Sequence, residues 1–354
     1  VPLVRNRKTM TTTNLPKLAP APTADSPIRA ALNTDLAPYF QAACRFLAAN
    51  AVAKEAPKPN WGLLGVMRFV LAMAVVCYHI DLSSNLWHLS SGRFAVYGFL
   101  IVSGFSIAHS LSTDKKNYLQ RRVWRIYPVW ITSIVIGFIT IARHDPVLNI
   151  VGSVLMLQGI LTPVMCTLGS SWTLAGEWWM YMIAPLLTVK RAALASIIFL
   201  ATAAVGFAFV THPIYPKWSS TMLMVPCLWI SGYLLYKRQT WAVAIIGLFT
   251  AASCFFWDIQ PIGVIYVIAI TAIIVQPPKI NVSAIGRLLG DVSYPLYLIH
   301  PLLLTVLRNE PAIIRIAAAF ASAFLIHLLI EKPILALRSR LKTKAPSSFE
   351  TQPS

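Results

Sequence analysis

Acidic residues are scarce in this chain. Twelve Asp and Glu stand against 30 Lys and Arg, and charged residues together make up 12% of 354 positions. A water-soluble domain carries roughly 25% charged residues, so a soluble globular fold is excluded. Paired cysteines are lacking too. Cys44, Cys77, Cys166, Cys227 and Cys254 are odd in number, form no CxxC pair, and three of them lie within apolar runs. That pattern supports neither a disulfide framework nor a metal site. No Gly-rich phosphate loop, HExxH or GxSxG elbow occurs, so those catalytic classes have no footing and no metal is expected. The formal charge of +18 does not indicate nucleic acid, because the basic residues sit in short clusters between apolar runs. Nucleic-acid binding calls for a basic face interleaved with aromatics.

What is abundant is apolar length: 57% of the residues are hydrophobic. A membrane-crossing helix needs about 20 largely apolar residues. Suitable runs lie near 62–80, 94–111, 126–142, 172–189, 192–210, 221–236, 241–257, 260–276, 290–307 and 312–331. A further stretch, 147–161, is short, carries Asn149, Gly152 and Gln158, and leads into Pro163. If it does not cross, Lys115, Lys116, Arg121, Arg122, Arg125, Lys190, Arg191, Lys237, Arg238, Lys279, Arg287 and the cluster from Lys332 to Lys344 share one side. That side is the cytoplasm by the positive-inside rule. The expectation is an all-α, polytopic integral membrane bundle of about ten helices with both termini cytoplasmic, and 147–161 re-entrant or interfacial. Residues 1–60 read as a flexible cytoplasmic tail, 61–340 as the membrane domain, and 341–354 as a disordered tail.

Ionisable residues inside such helices are costly and mark candidate sites. Arg68 and His79 stand eleven positions apart on the first span, about 16 Å along one face. Glu177, flanked by tryptophans in SSWTLAGEWWMYMIAP, begins the fourth span from the outer side. His79 is expected as its partner, since a carboxylate fixing an imidazole prepares it for proton transfer. Small residues Gly98, Ser103 and Gly104 on the second span suit close helix approach. In RRVWRIYP, Arg121 and Arg125 share a helical face with Arg122 beside them, and Arg forks suit phosphates. Ser293, Tyr297 and His300 form a polar stripe at i, i+4 and i+7 on the ninth span, where Pro295 and Pro301 free backbone carbonyls. Tyr294, Trp172 and Tyr181 adjoin these positions and complete the candidate tunnel. His327 and Glu331, four apart on the last span, read as an interfacial pair.

Taken in order, R(x)10H, GFLIVSGF, RRVWRIYP, WTLAGEWWMYMIAP, GDVSYPLYLIH and a terminal EKP resemble the acyltransferase family 3 of integral membrane proteins over about residues 62–337. The resemblance implies transfer of an acyl group, usually acetyl, from cytoplasmic acyl-CoA to a hydroxyl of an extracytoplasmic or membrane-proximal carbohydrate, in a cytoplasmic or plasma membrane. It implies His79 as the catalytic residue, with Glu177 beside it. Arg68, Arg122 and Arg125 fall on the family's arginine motifs and Ser103 on the serine of SGF. Arg68, Arg121, Arg122 and Arg125 are accordingly expected to hold the phosphates of acetyl-CoA. Trp172, Tyr181, Ser293, Tyr294, Tyr297 and His300 would line the tunnel, with Ser293, Tyr297 and His300 as donors to the oxyanion. Membrane lipid is the expected surround, and the residues say nothing of oligomeric state. A proton-coupled transporter using His79, Glu177 and His300 as a relay is the alternative.

Overall fold

The computed structural model describes residues 59–80, 92–140, 145–198, 217–239 and 262–344. The tail 1–58, the span expected at 241–257, most of that at 192–210, and residues 345–354 lie outside the described residues.

Among the described residues every regular element is helical, apart from one isolated bridge pairing Gln158 with Thr162. Helix α1, Trp61–His79, starts where the Asn60 side chain accepts a bond from the Leu63 N–H at 3.1 Å. Such a cap satisfies one of the helix's orphan donors. Helices α2 (Gly92–Thr113) and α3 (Tyr118–Thr140) follow, then α4 (Val147–Val154). Helix α5 is Trp172–Ile183, and residues 189–198 are again helical. Helices α6 (Lys217–Tyr236), α7 (Ile262–Val275), α8 (Ser283–Val306) and α9 (Ala312–Ile326) complete the bundle. A π-turn at His327–Glu331 joins α9 to α10, Lys332–Lys344. Four of these stretches are by themselves long and apolar enough to cross a membrane: Trp61–His79, Ala95–Thr113, Tyr118–Thr140 and Ala312–Leu341.

One expected span differs. The run at 172–189 is not a single helix: α5 has 12 residues and gives way to a 3-10 turn at Ala184–Leu186. Pro185 has no N–H for the Tyr181 carbonyl, so the α-helical ladder stops there. The stretch before α5 is also compact. Helix α4 has eight residues, only about 12 Å of rise, and the chain then turns through Met156 at φ 58° and Gly159 at φ 77°. Gln158 donates to the Ser171 carbonyl at 3.3 Å, Trp179 Nε1 to the Met156 carbonyl at 2.9 Å, and Trp130 Nε1 to the Ser153 carbonyl at 2.9 Å. These bonds tie 147–171 onto α3 and α5 as a folded segment.

Two close crossings set the bundle's registers. Helix α8 packs along α1 in the same direction, so that Gly62 meets Ser283, Gly65 meets Gly286, and His79 meets His300. Helix α2 runs against α1 and packs closely on α6, where Gly104 faces the Trp229 carbonyl and Gly232 faces that of Ile101. Backbones this near leave no room for a Cβ, and small residues serve membrane helix packing for that reason.

Candidate active site

Between α1, α2, α3, α5 and α8 lies a cavity of about 410 Å³. Its mouth is at Trp61, His109 and Thr113, of which Trp61 and Thr113 are exposed. Its far end is closed by the buried Thr173, Ser293 and Tyr297. The helix directions explain the lining. Helix α2 presents Ser103, Ser106, Ser110 and Thr113 at i, i+3, i+7 and i+10, one polar stripe at helical spacing. Helix α3 supplies Arg121, Arg122 and Arg125 in its first two turns, and α1 supplies Arg68 one turn deeper than Gly65.

The four guanidinium groups are held differently. Arg121 is paired with Asp114 and also donates to the Ser110 hydroxyl at 3.2 Å. Arg125 reaches Asp291 at 3.4 Å, and Arg68 donates to the Ser106 hydroxyl at 2.7 Å. Arg122 makes no ion pair among the described residues. It lies against the rings of Tyr118 and Tyr181, at 5.6 and 5.9 Å, with its buried Nε unpartnered. Buried donors without partners are rare in native structures and invite a ligand.

Among the described residues Glu177 is the single acidic one lining the cavity, with four arginines in the same lining. It accepts from the Tyr181 hydroxyl at 2.5 Å and interacts with Ser103, Arg68 and Arg122. Ser103 in turn lies 2.9 Å from the Tyr181 hydroxyl and accepts from Trp229 Nε1 at 3.2 Å. The pairing of Glu177 with His79 expected from sequence is therefore not the one formed. Glu177 sits at the depth of Arg68, while His79 ends α1 eleven residues further on. His79 instead meets His300, with His79 Nδ1 3.2 Å from His300 Nε2.

That histidine pair stands beyond the closed end of the cavity. The Phe99 and Tyr297 rings, 5.6 Å apart, form the layer between, and Tyr297 lies 6.0 Å from His300. Neither His79 nor His300 lines the cavity, and nor does Trp172, which packs against the apolar core. Tyr181, Tyr294, Ser103, Ser293 and Tyr297 do line it. The expected oxyanion donors are already engaged, however. Ser293 donates to the Gly290 carbonyl at 2.7 Å, and Tyr297 to the Ser170 carbonyl at 2.8 Å while touching the Thr173 hydroxyl at 2.6 Å. Each proton has a local carbonyl to satisfy first.

Residues 63–331, more than half of the chain, match a family profile described as an acyltransferase domain. The chain belongs to that family. This acyltransferase is also similar to a protein of Acidianus two-tailed virus named as a candidate acetyltransferase (ORF330). The two are 27% identical over 299 residues, covering 73% of this chain and 88% of the relative. No solved structure gives a significant match. Neither comparison supports the transporter alternative. Among the described residues no group of His, Cys, Asp and Glu is arranged to hold a metal.

Sequence reasoning missed several residues of the acyltransferase cavity. Trp61 and His109 meet edge to face at 5.0 Å at its mouth, and Ser106 anchors Arg68. The serine stripe on α2 was a readable signal at 3.6-residue spacing. Trp61, at the head of α1, carried none.

Proposed function

We propose that this multi-pass membrane acyltransferase moves an acetyl group from cytoplasmic acetyl-CoA to a carbohydrate hydroxyl on or near the outer face of a cytoplasmic or plasma membrane. In this reading the helices make about ten crossings, both termini are cytoplasmic, and 147–161 folds back from the outer side. The single observation that carries it is the cavity. Its open end is surrounded by guanidinium groups, and its closed end stops one aromatic layer short of the His79–His300 pair.

The residues present suit such a donor. Arg122, its Nε without a hydrogen-bond partner and its guanidinium 5.6 and 5.9 Å from two tyrosine rings, offers a bidentate fork to phosphate. Arg121 and Arg125, each partly neutralised by an aspartate, contribute positive field at the mouth. The acyl end points inward past Ser103 and Tyr181 and, for transfer, passes the Phe99–Tyr297 layer to reach His79. His79 takes the proton of the acceptor hydroxyl as that oxygen attacks the thioester carbonyl. The carbon–sulfur bond then breaks, the thiolate leaves as CoA, and the imidazolium proton returns to the sulfur. Glu177, hydrogen-bonded to Tyr181, acts on the cavity rather than on His79: its carboxyl group, bonded to Tyr181 and close to Arg68, holds that wall in place around the acyl arm.

The test is transfer of labelled acetyl from acetyl-CoA to membrane glycans, comparing wild type with His79→Ala at matched expression and thermal stability. Label is expected from wild type and not from the folded variant. Retained label in the variant would remove His79 from the chemistry.

A further inference from the structure

The two histidine rings each face a backbone carbonyl, and that fixes where their protons lie. Pro301 has no N–H, so the carbonyl of Tyr297, four residues earlier, is left without its helical donor. The Ser170 hydroxyl fills the gap, donating to that carbonyl at 3.3 Å. His300 turns to the carbonyl one residue earlier, its Nδ1 lying 3.2 Å from the Leu296 oxygen. A carbonyl only accepts, so His300 Nδ1 carries the hydrogen and, in the neutral ring, His300 Nε2 is a lone pair. On the facing helix His79 Nδ1 lies 2.9 Å from the Val75 carbonyl. By the same reasoning His79 Nδ1 carries a hydrogen. That one hydrogen is shared between the Val75 carbonyl and, 3.2 Å from Nδ1, the lone pair of His300 Nε2. The two carbonyls thus agree on one direction for the bond, from His79 to His300. The opposite tautomers would set lone pairs against carbonyl oxygens on both helices.

We infer that His300 is a positioning residue that, together with the Val75 carbonyl, holds His79 in its Nδ1–H tautomer, leaving His79 Nε2 as the nitrogen that takes the acceptor's proton. The inference rests on the proposed role of His79 as general base and says how that base is prepared. His300 does here what a carboxylate does for a catalytic histidine elsewhere. It is fully buried at 0% exposure, whereas His79 is exposed, and His79 Nε2 has no hydrogen-bond partner among the described residues. When His79 becomes an imidazolium, the His300 lone pair accepts from a charged donor, a bond stronger than between neutral groups. Neutral His300 therefore follows proton uptake without moving.

The experiment uses the full chain, labelled with nitrogen-15 histidine, in detergent or lipid discs. A His79→Gln spectrum identifies the His79 signals among the seven histidines. In the neutral state the wild type is expected to carry its proton on Nδ1, and His300→Leu to shift the population toward Nε2–H. An Nε2–H wild type, or an unchanged spectrum in His300→Leu, overturns the inference. Should His300→Leu not fold, the wild-type spectrum alone decides the tautomer. Initial rates of acetyl transfer from acetyl-CoA supply a second readout. His300→Leu is expected to lower the maximal rate about 10- to 100-fold without changing the acetyl-CoA concentration at half-maximal rate. His300→Gln, whose side-chain oxygen can sit where Nε2 does, is expected to recover most of it. Equal rates for Leu and Gln variants overturn the positioning role. The nitrogen spectra are read without turnover, so failure of the tautomer is told apart from failure of His79→Ala to abolish transfer.

Discussion

A single methyl group at Gly104 should separate two helices and unmake part of the cavity wall. A Cβ built there lies 1.8 Å from the Trp229 carbonyl oxygen and 2.9 Å from the Tyr233 nitrogen, both backbone atoms. Ordinary contact requires the two backbones to part by about 1.5 Å. The facing contact of Gly232 with the Ile101 carbonyl blocks a compensating tilt. The neighbours that would lose contact, Ile101, Phe105, Leu228 and Trp229, are among the most buried side chains of the protein. Overpacking of this kind costs about 3 kcal/mol. Stretching the 3.2 Å bond from Trp229 Nε1 to Ser103 beyond hydrogen-bond range adds about 1 kcal/mol. Gly169→Ala is the control, since a Cβ there meets nothing within 4 Å, and its effect should stay within about 0.5 kcal/mol. Thermal unfolding of the purified protein in detergent reads both. Equal melting temperatures for Gly104→Ala and wild type would refute the close crossing and, with it, the placement of Ser103 beside Tyr181.

Arg122→Gln should raise the acetyl-CoA concentration for half-maximal rate about tenfold, the equivalent of roughly 1.5 kcal/mol for a charge-assisted bond. Arg121→Gln should raise it less, because Arg121 is already occupied by Asp114. A titration with acetyl-CoA ranks the two, and the reverse order would move the phosphate to the mouth. The buried His327–Glu331 pair, 2.9 Å apart with side chains 8% and 1% exposed, makes a separate prediction. His327→Leu alone should cost about 3 kcal/mol by stranding Glu331, while the double change to Leu at both positions should recover much of it. Unfolding of the two variants checks this, and a double variant less stable than the single one would contradict it.

Helical class, membrane residence and many of the polar residues lining the cavity were legible along the chain. Scarce charge and long apolar runs leave a helical bundle as the natural outcome, since every backbone group in a helix is satisfied within its own segment. The arginines of α3, Ser103 and the Ser293–Tyr297 stripe could be picked out because polar residues in an apolar helix stand out at helical spacing. The broken span at 172–189 was less legible. Pro185 was visible, but the 3-10 stretch at Cys166–Ser171 that delivers α5 depends on the fold of 147–171.

Pairing was the part that sequence could not supply. Hydropathy assigns a residue to a helix, and charge bias assigns an end of that helix to one side. Neither reports the depth at which two helices meet. Glu177 was matched to His79 because both belong to the outer half of their spans, yet the short α5 carries Glu177 down to Arg68 and Tyr181. His79 and His300 are 221 positions apart, and only the glycine contacts of α1 with α8 bring them to one level. Composition and periodicity alone determined that this protein is a bundle of membrane helices with buried polar residues. Which of those residues touch was decided by close packing, because a backbone crossing permits one register and excludes its neighbours.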